Sequence, residues 1–322
     1  MPKPVRIGHS PDPDDAFMFY ALAAGKFDTS PESYEHHILD IETLNRKAET
    51  GEYEVTALSF HAYAYVSRLY LLLRHGGSFG DGYGPVLVAR EFDGTDARAW
   101  LAGKRVAVPG LRTSAYLALQ LFAADLGEGE GHGSHRRRPL ALPSPPRGEG
   151  KQRQRPSGRA KRVDFACEAV PFDQILPAVA EGRYDAGLLI HEAQLTYRST
   201  PRPPLHLVMD LGVWWKAATG LPLPLGGNAI RADIDPQRRV RIAGHILESI
   251  RWALAHRREA LEYALRYARG ADPATADRFV GLYVNELTLD CGAAGQKAVE
   301  MLLGAGGRAR IVPCPEAIRW AE

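Results

Sequence analysis

Short apolar runs alternate with segments of helical periodicity along the first half of the chain. Three apolar runs, at residues 5–8, 37–41 and 55–59, each end in a tight loop with small or polar residues and lead into a helical pattern at 17–22, 42–47 or 61–70. This strand–loop–helix unit is typical of parallel sheets. Because such loops open on one edge of a sheet, the pattern predicts a ligand site outside the carboxyl ends of these strands.

The pattern continues into a second unit. Apolar runs at residues 85–88, 105–108 and 186–190, with helical patterns at 113–125 and 172–182, predict a smaller α/β domain. We place it at residues 90–203 and assign residues 1–89 and 204–322 to a larger, discontinuous domain. The glycine-rich segment 76–84 and the prolines near 201–204 are the predicted crossings. The expected fold class is therefore α/β, two-lobed, with two hinge crossings that close over a ligand.

The C-terminal third is predicted to return to the larger domain. Residues 205–209 are expected to form a strand, and residues 240–256 and 257–269 two long helices. Four apolar residues of the first helix fall at helical spacing on one face, namely Ile242, Ile246, Ile250 and Ala253. These helices are expected to brace the outer face of the larger domain.

Residues 127–162 break the pattern with arginine, proline and glycine runs and almost no large apolar residues. Such a segment cannot bury enough surface to fold, so we predict a disordered insertion within the smaller domain. It holds 10 Lys/Arg and 3 Asp/Glu, so the formal charge of +2 for the whole chain leaves −5 on the remainder. A basic total from one segment gives no reason to expect a nucleic-acid partner.

Cysteine spacing and hydropathy exclude two further classes. Cys167, Cys291 and Cys314 form no CxxC or Cys/His pattern, so no disulfide framework and no metal site are predicted. The chain lacks an apolar leader and any stretch of about 20 apolar residues. We therefore expect a cytoplasmic protein without membrane insertion.

The first candidate motif lies where the first strand meets its helix, at residues 9–17. For Asp12 and Asp14 the pattern favours helix capping over catalysis, with the prolines making the entry rigid. Ser10 and the amides beside it are predicted to line the cleft.

Hydroxyl residues follow two further strands at equivalent places. Ser59 is equally consistent with an N-cap and with a ligand contact, and the two roles can coexist. Thr113 and Ser114 open a helix of the smaller domain and offer hydroxyls and amides to an anion. The segment matches neither a P-loop nor GxGxxG, so a small carboxylate is the expected ligand rather than a nucleotide.

The apolar strand at residues 186–190 ends in His191 and Glu192 at the expected edge between the lobes. A general base and a structural histidine are both consistent with this position, and Glu192 either orients His191 or caps the next helix. Because no serine nucleophile motif and no HExxH occur, any catalysis is expected to be acid–base chemistry. Asn228 is a further candidate for shaping the cleft.

Read in order, these motifs resemble the 1,4-dihydroxy-6-naphthoate synthases of the futalosine route to menaquinone. The resemblance covers nearly the whole chain and is carried by residues 10–17, 40–45, 58–59, 113–115, 187–192, 210–215 and 283–285. It implies a type 2 periplasmic-binding-protein-like fold in a cytoplasmic enzyme. It also implies a carbon–carbon lyase that splits cyclic dehypoxanthine futalosine into 1,4-dihydroxy-6-naphthoate and a sugar-derived fragment without a cofactor.

The resemblance further implies roles for individual residues. His191 matches the proton acceptor of the family, and the substrate-binding positions fall on Ala57, Leu58 and Ser59 in one lobe and on Thr113 and Ser114 in the other. Two alternatives stay open at this point. One is chorismate dehydratase, which shares the fold and pathway, and the other is a small-anion-binding protein without catalysis.

Overall fold

The computed structural model describes residues 3–124, 162–199, 204–267 and 272–321. The strands within these ranges are β1 (Val5–His9), β2 (Tyr34–Ile38), β3 (Val55–Ser59), β4 (Tyr70–Leu72), β5 (Ser78–Gly80), β6 (Val86–Ala89), β7 (Arg105–Val108), β8 (Ala166–Ala169), β9 (Ala186–Leu189), β10 (His206–Asp210) and β11 (Leu223–Arg231). The predicted strands at 55–59 and 105–108 are confirmed at both ends.

The helices of the same ranges are α1 (Pro13–Ala23), α2 (Ile41–Ala48), α3 (Phe60–Val66), α4 (Ala97–Trp100), α5 (Ser114–Ala124), α6 (Phe172–Ala180), α7 (Ala193–Thr196), α8 (Leu211–Thr219), α9 (Pro236–Ala255), α10 (Arg257–Ala264), α11 (Pro273–Tyr283), α12 (Glu286–Leu289) and α13 (Gly292–Arg308). The helical pattern predicted for residues 61–70 ends early at α3, because Tyr70 belongs to β4 and is fully buried.

The described strands form two sheets, each the centre of one lobe. The first-lobe sheet has the order β2-β1-β3-β11-β4, with β5 paired to β11. β1 runs parallel to β2 and β3, as the repeated βα pattern predicts, and β11 runs antiparallel to β3. The second-lobe sheet has the order β10-β6-β9-β7-β8, in which β7 is parallel to β8 and β9.

The lobe boundaries differ from the sequence expectation. The sequence places β6 and β10 in the larger domain, but β6 pairs antiparallel with both β9 and β10, so both strands belong to the second lobe. The crossings therefore lie between β5 and β6 and between β10 and β11. The two crossings pack against each other at Gly212 and Tyr83. A Cβ at Gly212 would lie only 1.9 Å from the Tyr83 carbonyl oxygen, so the contact requires glycine.

The apolar face predicted on the long C-terminal helix is confirmed. Ile242, Ile246, Ile250 and Ala253 of α9 are buried and pack with Phe17 of α1 in one core cluster, which also contains Val5 and Val55 of the first-lobe sheet. A second cluster joins both lobes, since it contains Leu58 and Leu188. Burial of these two clusters stabilises the positions of β1, α1 and β3, whose ends line the cleft.

Among the described residues, no helix combines the length and the apolar character that a membrane span requires. The predicted disordered insertion at 127–162 lies outside the described residues except for its last position.

Candidate active site

A cleft between the two sheets collects most of the predicted site residues. It contains about 710 Å³ of space that no protein atom occupies, part of it open to solvent. Its lining includes seven predicted residues, namely Ser10, Ala57, Leu58, Ser59, Thr113, Ser114 and His191. The strand-end positions inferred from the sequence therefore meet at one site.

Ser59 lies at the carboxyl end of β3, where Asn45 holds it. The Ser59 N–H donates to Asn45 Oδ1 (2.9 Å), and Asn45 Nδ2 donates to the Ser59 hydroxyl (3.2 Å). Ser59 occupies the N-cap position of α3, but its side chain makes no capping hydrogen bond. The sequence left open a capping role and a ligand-contact role for Ser59. The side chain does not cap the helix, and it lines the cleft.

Thr113 and Ser114 reach the cleft from the second lobe. The Thr113 hydroxyl donates to the Gly110 carbonyl (2.9 Å) and accepts from the Tyr116 N–H (3.2 Å), which fixes the start of α5. The Ser114 hydroxyl accepts from the His61 N–H of the first lobe (3.1 Å). Hydroxyl-bearing residues of both lobes therefore line the same cleft.

Three carboxyl groups at the start of α1 also face the cleft, and this corrects the capping interpretation. Asp12 is the N-cap residue of α1 but makes no side-chain capping bond. The Asp14 carboxylate accepts from the Ser78 hydroxyl (3.1 Å), and Asp15 accepts from the Ser10 N–H (2.8 Å). Proline at the first helical position supplies the rigid entry, as predicted. The acidic side chains line the cleft and do not cap the helix.

Burial changes the acidity of these groups. Loss of water, strengthened by repulsion from Asp15 and Asp12, raises the pKa of Asp14 to about 7. Burial likewise raises the pKa of Asp15 to about 6, against the opposing effect of the hydrogen bonds from Ser10. Carboxyl groups that hold protons near neutral pH can donate as well as accept protons.

His191 lies just after β9, opposite these carboxyl groups. Its Nε2 is 3.3 Å from Asp12 Oδ2. Its ring makes edge contacts with Phe172 and Phe279, at centroid distances of 4.8 Å and 6.0 Å. Its backbone φ of 53° lies in the left-handed region, which is uncommon for a residue other than glycine. A titratable ring held by aromatic walls beside a carboxylate can serve as a general base.

Asn228, which the sequence offered as a residue of the cleft, lies behind the cleft wall instead. It is fully buried on β11 and is not among the residues that line the cleft. Its Nδ2 donates to the Gly76 carbonyl (3.2 Å), and a Cβ at Gly76 would lie 2.2 Å from that nitrogen. Asn228 therefore supports the loop behind the cleft wall, because the pleat of β11 turns its side chain toward residue 76.

The sequence interpretation did not assign several residues of the cleft. Ser78 comes from β5, Gln194 from the turn of α7, and Phe279 and Tyr283 from α11. Only Tyr283 lies in a segment that carries the family resemblance. The other three stand in unremarkable helical or glycine-rich contexts, so no local pattern marks them as site residues.

No group of three or more His, Cys, Asp or Glu side chains within the described ranges is arranged to hold a metal ion.

Comparison with known proteins agrees with this site. The family model described as menaquinone biosynthesis matches residues 5–132 and 158–308. The chain is 37% identical to a 1,4-dihydroxy-6-naphthoate synthase of Thermus thermophilus, with 98% of each chain covered. It is 35% identical to a 1,4-dihydroxy-6-naphthoate synthase of Streptomyces coelicolor, with 98% of this chain and 97% of the relative covered.

Two solved structures show the same architecture. Protein AF1704 from Archaeoglobus fulgidus matches with a TM-score of 0.78 and 40% identity over 96% of this chain and 98% of that one. The alkanesulfonate-binding protein SsuA from Xanthomonas axonopodis pv. citri, bound to MOPS, matches with a TM-score of 0.62 and 13% identity over 97% and 95%. The second match confirms the periplasmic-binding-protein-like fold alone. By the family model and by near full-length relatives, this chain belongs to the menaquinone biosynthesis family.

Proposed function

We propose that the protein is the carbon–carbon lyase that converts cyclic dehypoxanthine futalosine to 1,4-dihydroxy-6-naphthoate. The observation that carries the proposal is His191, a titratable side chain at the end of β9 that lines the cleft. The names of the two bacterial relatives support the same reaction. The cytoplasm stays the predicted compartment, and the partner is a small anionic substrate.

The two sides of the cleft suit the two ends of such a substrate. A naphthoate carries a carboxylate, which the hydroxyls of Ser59 and Ser114 can receive at the start of α5, where Thr113 holds the turn through its bond to Gly110. Another part of the lining brings His191 together with the carboxyl groups of Asp12 and Asp14. A carboxylate would be repelled there, so the reacting part of the substrate lies on that side.

His191 then removes a proton from the bound substrate and starts the elimination that breaks a carbon–carbon bond. The protonated carboxyl of Asp14 is available on the same side to return a proton to the departing fragment. Closure of the two lobes excludes water from the reacting groups. The chain's own residues thus supply binding, a base and an acid.

The test is turnover of cyclic dehypoxanthine futalosine by the purified protein, followed by mass-resolved chromatography. We expect 1,4-dihydroxy-6-naphthoate from the wild type and a kcat lower by about 100-fold to 10,000-fold in His191→Ala. His206→Ala, which removes an exposed histidine of β10, is the matched control and is expected to retain turnover.

Two outcomes would contradict the proposal. If the wild type binds the futalosine derivative but forms no product, the protein is a binder rather than a lyase. If it instead consumes chorismate, the chain carries the activity of the sister dehydratase.

A further inference from the structure

The base of the proposed reaction faces a carboxylate that belongs to the other lobe. His191 follows β9 of the second lobe, whereas Asp12 precedes α1 of the first lobe, and their side chains meet at 3.3 Å. We infer that Asp12 is a positioning residue that orients His191 and stabilises its protonated form across the cleft. This inference rests on the proposed role of His191 as the base.

The burial of the pair makes the contact effective. The side chain of Asp12 is 6% exposed and that of His191 is 15% exposed, so water screens their attraction poorly. A nearby opposite charge within about 4 to 6 Å favours the charged form of a titratable group. The Asp12 carboxylate therefore strengthens His191 as a proton acceptor.

Other acidic groups face His191 less directly. Asp14 of α1 and Glu192 of its own turn both interact electrostatically with the imidazole, and burial raises the pKa of each. The elements packed against the ring, α6 and α11, present the aromatic side chains of Phe172 and Phe279. Asp12 is the carboxylate in direct contact with the ring, at 3.3 Å, and is therefore assigned as the ion-pair partner.

The backbone of His191 is fixed across the lobes as well. In the amide orientation that satisfies its partners, Gln194 Oε1 accepts from the His191 N–H (3.1 Å). The Gln194 Nε2 donates to the Tyr283 hydroxyl of the first lobe (2.9 Å) and to the Gly84 carbonyl of the crossing (2.6 Å). A left-handed φ of 53° is strained for a residue other than glycine and persists only where the surroundings hold it.

Lobe closure and readiness of the base are therefore coupled. Opening the cleft separates Asp12 from His191 and Gln194 from Tyr283, because each pair joins the two lobes. Hinge proteins close their domains around a bound ligand, and closure completes the set of reacting groups.

The variant Asp12→Asn tests the inference. We expect kcat to fall by about 10-fold to 100-fold, with a smaller change in KM, because the ring loses its orientation. Without the carboxylate, the neutral imidazole persists to lower pH, so the acidic limb of the rate profile moves down by about one pH unit. Loss of stability alone would not move that limb.

Asp235→Asn is the matched control, since Asp235 also precedes a proline at the start of a helix but caps it by accepting from the Arg238 N–H. Its pH profile is expected to stay that of the wild type. If the acidic limb of the pH–rate profile is unchanged in Asp12→Asn, or shifts in Glu192→Gln and not in Asp12→Asn, Asp12 is not the partner of His191.

A second readout separates this inference from the proposed reaction. Titration of the His191 imidazole by NMR, assigned by its loss in His191→Gln, needs no turnover. We expect a lower apparent pKa in Asp12→Asn than in the wild type. If the pKa of His191 falls in Asp12→Asn but the protein makes no naphthoate, the proposed reaction is refuted and the Asp12–His191 pair is retained. Equal pKa values in the two proteins would refute the pair.

Discussion

The carboxyl group of Asp14 is expected to destabilise the folded protein, so its removal should increase stability. Asp14 is buried and accepts a hydrogen bond from Ser78 (3.1 Å). Asparagine has nearly the same shape and its amide oxygen can still accept that bond. Asp14→Asn therefore removes the buried charge while preserving the packing around it.

The magnitude follows from the difference in pKa between the folded and unfolded states. Burial raises the pKa of Asp14 to about 7, whereas the carboxyl of an unfolded chain titrates near 4. Between these values the folded state binds more protons than the unfolded state, so stability falls as the pH rises through this window. At about 1.4 kcal/mol per pH unit the full effect has an upper bound of about 4 kcal/mol. Because Asp15 and Asp12 share the repulsion, we expect about 2 kcal/mol between pH 5 and pH 8.

Urea unfolding monitored by tryptophan fluorescence at pH 5 and pH 8 measures this effect. Asp14→Asn should lose about 2 kcal/mol less than the wild type over this range and be the more stable protein at pH 8. Asp93→Asn, which removes an exposed carboxyl, should keep the pH dependence of the wild type. Equal pH dependence in Asp14→Asn and wild type would show that burial does not keep the Asp14 carboxyl protonated.

Two further predictions concern ligand binding and the unmatched segment. Asn45→Ala removes both hydrogen bonds that hold Ser59, so KM should rise about tenfold with a smaller change in kcat, and an unchanged KM would contradict the positioning of Ser59. Deletion of residues 133–157, which separate the two ranges matched by the family model, should leave kcat and KM within about twofold. A loss of turnover in that deletion would show that the segment contributes to the enzyme.

The strands of the first half were predictable because each carries its own signal. β3 and β7 coincide with apolar runs that end at polar or small residues, and the parallel register of β1 with β3 follows from the βα repeat. The pairing of β10 was not predictable. An apolar run does not state its partner, and the antiparallel bonds to β6 form only once the second sheet exists.

The site shows the same division between local and distant information. The sequences at Asp12 and Asp235 look alike, since each aspartate precedes a proline at a helix start. Asp235 caps its helix, while Asp12 leaves its helix uncapped and meets His191. The two aspartates differ in that His191 of the other lobe lies beside Asp12. A local sequence pattern cannot predict a contact between residues so far apart in the chain.

Architecture alone does not determine the chemistry of this protein, since a sulfonate-binding protein shares its fold at 13% identity. The difference must lie in what the strand ends bring to the cleft. Three buried carboxyl groups side by side are an unfavourable arrangement that a passive anion binder has no reason to hold. Here they face an imidazole across the hinge, where groups with raised pKa values can exchange protons with a ligand. The unfavourable burial of Asp14 and the pairing of Asp12 with His191 both fit the proposed reaction, which requires acid–base chemistry inside a cleft.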